Sequence, residues 1–196
     1  MFRPLLAALL LAVAPLAGAP AAAQVAPVDD PRLPGEYVNL VVNVCIGIAR
    51  GRVPDAAASS ALGLNPLATP PAFLRDGYKS ASQWFGSAKL PQRAYVGAAT
   101  APAACFAVLA NTNMAGEVQD RLQSTLRAAG FEPIVAPDPP AEGTVDRLYA
   151  TKAPDGYIVV SIEGPLAPVN GGSGDQGVTT VALMPPARFE AMFQRN

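Results

Sequence analysis

The sequence predicts an α+β fold: one domain built on a mostly antiparallel sheet of four to six strands, packed with three to four helices and closed by one disulfide. Three observations carry this expectation. The first half holds long apolar stretches with helical punctuation. From Arg93 onward the pattern changes to short apolar runs separated by turn residues. Two cysteines, Cys45 and Cys105, sit one in each of these regions.

The elements follow in order. Glu36 to Arg50 is rich in Val, Ile and Leu, and Asn39 and Asn43 stand four apart with Gly47 and Arg50 continuing their side. That spacing gives a helix with one narrow polar stripe, stopped at Gly51. The β-branched content favours a strand, but fifteen residues is long for one. A second short helix opens near Pro54 and ends at Gly63. Residues 64–92 are punctuated by Pro66, Pro70, Pro71 and Pro91, with a helical turn or two expected between Arg75 and Phe85.

Arg93 to Ala99 and Cys105 to Ala110 read as strands joined across Thr100-Ala101-Pro102. Asn113 reads as a helix cap, and Val118, Leu122, Leu126 and Ala129 mark one face of a helix that stops at Gly130. Phe131 to Ala136 is a short strand. Val145 to Thr151 and Tyr157 to Glu163 flank Ala153-Pro154-Asp155-Gly156, a good hairpin turn. Val178 to Met184 forms the last strand, and Pro186 opens a terminal helix with Phe189, Met192 and Phe193. No repeat is visible. The sheet is expected to be covered on one face.

Ahead of this domain, assigned to residues 35–196, come two other segments. Arg3, the apolar run Leu5 to Leu16 and the small residues Ala21 and Ala23 have the order of a cleavable secretory signal peptide over residues 1–23. Pro15, Gly18 and Pro20 interrupt the run before it reaches the length of a membrane span. Ala19 stands where a lipoprotein signal would need cysteine, so no stable membrane anchor is expected. Residues 24–34 read as an extended lead-in. The expected location is periplasmic or secreted, after cleavage near Ala23.

Removing 23 of 196 residues leaves 173, enough for one domain with a core. Loss of Arg3 shifts the net charge from −1 to −2, and no basic run exists, which argues against nucleic acid as a partner. In an oxidising compartment the even pair Cys45 and Cys105 is most simply one disulfide. The chain has no histidine. That removes Ser-His-Asp and Cys-His nucleophile systems, an ordinary zinc site and the commonest general base.

Gly172 to Gly177 spells a formal G-x-G-x-x-G, but a Pro/Gly loop precedes it and a strand follows, the reverse of a dinucleotide site. It reads as part of a loop from Gly164 to Gly177. Asp146, Asp155, Glu163 and Asp175 are the carboxylates of the sheet half, and each reads as surface charge. No catalytic, cofactor-binding or metal-ligating residue is assigned, and no cofactor is expected.

One cluster stands out. Phe73, Tyr78, Trp84 and Phe85 fall within 13 residues, beside Arg75, Asp76, Lys79 and Gln83. Core packing accounts for such aromatics; the functional alternative is a recognition surface formed by Trp84, Tyr78, Phe85, Phe73 and Arg75. The resulting expectation is a non-catalytic exported protein that binds an unidentified protein or a small cell-envelope ligand. The second expectation is a carboxylate-based hydrolase. The oligomeric state is left open.

Overall fold

The computed structural model describes residues 30–134, 146–166 and 174–193. The signal-peptide segment 1–23 and most of the lead-in lie outside the described residues. The fold is α+β, with one antiparallel sheet of eight strands and five helices among the described residues. Both counts exceed the expected four to six strands and three to four helices.

Helix α1 runs continuously through Leu33–Asn39, Leu40–Cys45 and Ile46–Ala49, starting three residues before the expected Glu36. Its central six residues are π-helical, with the Ile46 N–H bonded to the Val41 carbonyl five residues back. A π segment inserts an extra residue into a turn and rotates the side chains that follow. Leu33, Tyr37, Val41, Val44, Cys45 and Ile48 are all buried. Helix α2 is Ala56–Ala61, capped by the Asp55 carboxylate, which accepts from the Ala58 N–H.

The segment 64–92 departs most from expectation. It holds strand β1 (Leu64–Pro66), helix α3 (Ala72–Gly77) and strand β2 (Gln83–Ser87). The helical turns expected up to Phe85 end at Gly77, and Trp84-Phe85 lie in a strand. Strands β3 (Ala94–Thr100) and β4 (Ala103–Thr112) form the expected pair. Helix α4 is Ala115–Ala128, burying Val118, Leu122 and Leu126 as the spacing requires. Asn113 does not cap it. Instead the Thr112 hydroxyl accepts from the Met114 N–H, and Met114 is the first flanking residue. Strand β5 is Glu132–Ile134, with 135 and 136 of the expected strand outside the described residues; β6 (Asp146–Ala153) and β7 (Gly156–Leu166) form the expected hairpin. Strand β8 (Asp175–Met184) and helix α5 (Pro186–Phe193) close the chain.

The strand order is β1-β2-β3-β4-β8-β7-β6-β5. Each half of the sheet is thus a four-stranded meander preceded by a helix, α1 before the first and α4 before the second. The last strand lies at the centre, paired antiparallel with β4 from Ala104 opposite Ala182 to Leu109 opposite Gly177. Helices α1 and α4 pack against one face of the sheet. Tyr37 fastens α1 over the central seam: its hydroxyl donates to the Ala107 carbonyl of β4 at 2.8 Å and lies 3.1 Å from Thr179 Oγ1 of β8. Tyr149 of β6 donates to Gln123 Oε1 of α4 at 2.9 Å.

Burial is not confined to that face. Over the first meander the opposite face carries a second apolar cluster, in which Leu74, Trp84, Tyr95, Val108, Ala110 and Val178 are buried and Phe73, Tyr78 and Phe106 pack against them. The expectation of a sheet covered on one face is therefore corrected: residues 67–81, including α3, fold back over the other. Strand alternation explains it, since β2 sends Phe85 to one side and Trp84 to the other.

Candidate functional site

The second cluster is built from β2 outward. Trp84 is paired with Gly97 of β3, and only glycine fits there. A Cβ on Gly97 would stand 2.8 to 2.9 Å from three atoms of the indole six-membered ring, well inside van der Waals contact. The indole therefore lies directly on the β3 backbone and is 4 % exposed. Tyr78 meets it edge-on, with ring centroids 5.9 Å apart, and Phe73 meets Tyr95 at 5.8 Å, also edge-on. Such edge-to-face pairs are the favoured aromatic geometry. Leu74, fully buried, anchors α3 on this cluster and so holds Arg75 and Lys79 at its margin.

Between this margin and β2 lies a cleft of about 330 Å³, lined among others by Leu67, Pro70, Arg75, Lys79, Gln83 and Trp84. Among the described residues its charged lining residues, Arg75 and Lys79, are both cations. Arg75 Nε lies 3.5 Å from the Asp76 carboxylate, with side chains 59 % and 71 % exposed. A pair that solvated is worth little. Lys79 makes no ion pair among the described residues. Among the described residues the buried polar side-chain atoms without a partner are Asn111 Oδ1 and Gln123 Nε2, neither of them in the lining of this cleft.

Tyr78 sits behind the cleft. Burial first, and then the charge of Glu163, push its phenol up to about 12. Its hydroxyl accepts from Gln176 Nε2 at 3.4 Å. At neutral pH it is a neutral phenol, packing and hydrogen-bonding rather than acting as a base.

The sequence-selected residues thus separate. Trp84 and Arg75 line the cleft. Tyr78 and Phe73 pack around it. Phe85 is corrected out of the set: it is fully buried on the opposite face, in the main core cluster. Lys79 and Gln83, read only as polar neighbours of the aromatics, join the lining. Gly97 was missed altogether; a glycine inside an apolar strand marks close approach by another group, and that was the available signal. Cys45 and Cys105 are joined, tying the end of the π segment to β4.

A second cleft, of about 390 Å³, lies between α1 and α2, with Asn43, Gly47, Arg52, Asp55 and Leu62 in its lining. The sequence pointed to Asn43 and Gly47 only as a polar stripe. Of the glycine string, Gly172 and Ser173 lie outside the described residues. Asp175 to Gly177 belong to β8, and Glu163 and Gly164 to β7, so the expected Gly164–Gly177 loop is shorter at both ends. A Cβ on Gly174 would meet the backbone at Asn111 and Thr112 within 2.5 to 3.0 Å, which gives this glycine a packing role.

Asp55 is committed to its helix cap and Glu36 to Lys89 at 2.9 Å, while Asp120 makes only a long, solvated contact with Arg147 at 3.8 Å. The register sets Asp146 opposite Glu163 on adjacent strands. No group of three or more Cys, Asp or Glu that could hold a metal occurs among the described residues, and no described helix is long and apolar enough to cross a membrane.

No family model matches the chain, and neither the curated proteins nor the solved structures contain a match to it.

Proposed function

We propose that this is an exported, non-catalytic binding protein that holds a small ligand in the cleft beside Trp84. The observation that carries the reading is the construction of that cleft. A buried indole is seated on a glycine backbone, leaving an apolar wall, while Arg75, Lys79 and Gln83 supply a few polar groups at the rim. Small-molecule sites combine an apolar lining with a small number of placed polar groups in this way. Trp84 is also the only tryptophan in the chain, so its indole N–H gives one resonance that reports on the cleft alone. Addition of benzoate, phenyl phosphate, benzyl alcohol and benzylamine in turn is expected to shift that resonance saturably for at least one probe. Filling the cleft from another lining position, with Ala81→Phe, should abolish the shift. Silence of the resonance towards all four would overturn the reading.

Export is supported by the order of Arg3, Leu5 to Leu16 and Ala21-x-Ala23, together with the Cys45–Cys105 disulfide, which suits an oxidising compartment. The mature protein recovered from the producing cell is expected to begin at Gln24 by mass spectrometry. A cytosolic product starting at Met1 would sink this part of the proposal.

The second reading, a carboxylate-based hydrolase, draws on the cross-strand placement of Asp146 and Glu163. It requires two carboxyl groups sharing one cleft with the substrate. Glu163 does not line the Trp84 cleft, which favours binding over hydrolysis there.

A further inference from the structure

We propose that the Trp84 cleft recognises a small organic anion, a carboxylate or phosphate headgroup carried on an aromatic or apolar body. The inference rests on reading this cleft as the binding site, and goes on to name the chemistry it selects. The chain as a whole is slightly acidic, with 14 Lys and Arg against 15 Asp and Glu. Yet among the described residues the cleft gathers Arg75 and Lys79 and no carboxylate.

The two cations differ usefully. Arg75 offers a planar fork that fits two oxygens of one headgroup, and Lys79 a compact charge on a long, mobile stem. Neither is locked to an internal partner. The Arg75–Asp76 contact is 3.5 Å long and solvated, so an incoming anion competes with a weak pair, and Lys79 has none among the described residues. A carboxylate or phosphate accepts from both; an ammonium group accepts from neither.

The body of the ligand follows from the remaining wall. Leu67, Pro70 and the rim of the Trp84 ring are apolar, and about 330 Å³ is at the lower end of small-molecule sites, room for a ring and its headgroup. The cleft between α1 and α2 shows no comparable bias, because it places Arg52 and Asp55 in one lining.

The test compares headgroups on one ring. Benzoate, phenyl phosphate, benzyl alcohol and benzylamine are titrated against the native protein while the Trp84 indole resonance is followed. Benzoate or phenyl phosphate, or both, are expected to bind at least tenfold more tightly than the alcohol, with benzylamine weakest; the order of the two anions says which headgroup is preferred. Arg75→Gln and Lys79→Gln should each weaken anion binding about tenfold, and added salt should weaken it in the wild type. Both side chains are exposed, so an unchanged denaturation midpoint confirms that the variants remain folded. Equal binding of the alcohol or amine, insensitive to both substitutions, overturns the anion proposal while leaving the cleft as a binding site. Anion binding that survives both substitutions places the anion elsewhere and also overturns it. No response to any of the four probes overturns the proposal and the binding reading together.

Discussion

Trp84 and Gly97 are one structural unit although thirteen positions apart. The indole reaches 96 % burial because β3 presents a bare backbone to it. This makes Trp84 a wall of the cleft rather than a mobile contact residue. It also makes alanine at position 84 a poor probe of binding, because truncating a buried aromatic costs about 3–5 kcal/mol on its own. Position 97 gives the cleaner experiment. A methyl group there collides with a flat ring that is itself packed against Tyr78, and forced overpacking of this kind costs about 1–3 kcal/mol. Gly86 is the internal control: it lies in β2, and its added Cβ would meet the Leu67 side chain at 3.6 Å, an ordinary contact. Urea denaturation should therefore show a clearly lower midpoint for Gly97→Ala than for Gly86→Ala. Equal midpoints would mean that the indole can shift freely, and the rigid wall would be lost from the argument.

Elements whose pattern is local were legible before the fold was known. Val118, Leu122 and Leu126 recur at helical spacing and form the buried face of α4; Pro154-Asp155-Gly156 sits at the turn of the β6–β7 hairpin. Elements whose reason is distant were not. Strand β2 hides because Trp84 and Phe85 are adjacent and both apolar, which erases the alternation expected of a strand with one wet face; each is buried, but against a different layer. Strand β1 is three residues long and ends on Pro66, suiting an edge position where a missing N–H does no harm. The π segment of α1 could not be read either, because its register is set by fitting Tyr37, Val41, Cys45 and Ile48 onto the β4–β8 seam. Of the site, the sequence marked the aromatic cluster and Arg75. It could not tell which aromatics would share a side, because that depends on the parity of β2, and the strand itself was read as helical turns.

At the scale of the whole molecule, the topology is a helix and four-stranded meander made twice, joined where β4 meets β8. That seam lies at the centre of the sheet, so its stability decides whether the two meanders behave as one unit. Three devices act on it: the β4–β8 ladder, the Tyr37 hydroxyl lying over both strands, and the Cys45–Cys105 bond, which fixes α1 to β4 beside the seam. The first two act within the folded state. The disulfide acts chiefly on the unfolded chain, where joining cysteines 60 residues apart removes loop-closure entropy worth about 4 kcal/mol at 25 °C. Against a usual net stability of about 5–15 kcal/mol that is a large fraction. Cys45→Ala combined with Cys105→Ala is accordingly expected to lower the unfolding free energy by several kcal/mol, and wild type kept in dithiothreitol should follow it. Because the β4–β8 ladder and the Tyr37 contacts do not pass through the bond, the loss should come as an earlier midpoint of a single transition, with Trp84 fluorescence and far-UV dichroism falling together. A variant that unfolds in two steps, with the Trp84 signal lost first, would show instead that the bond is what couples the first meander to the second.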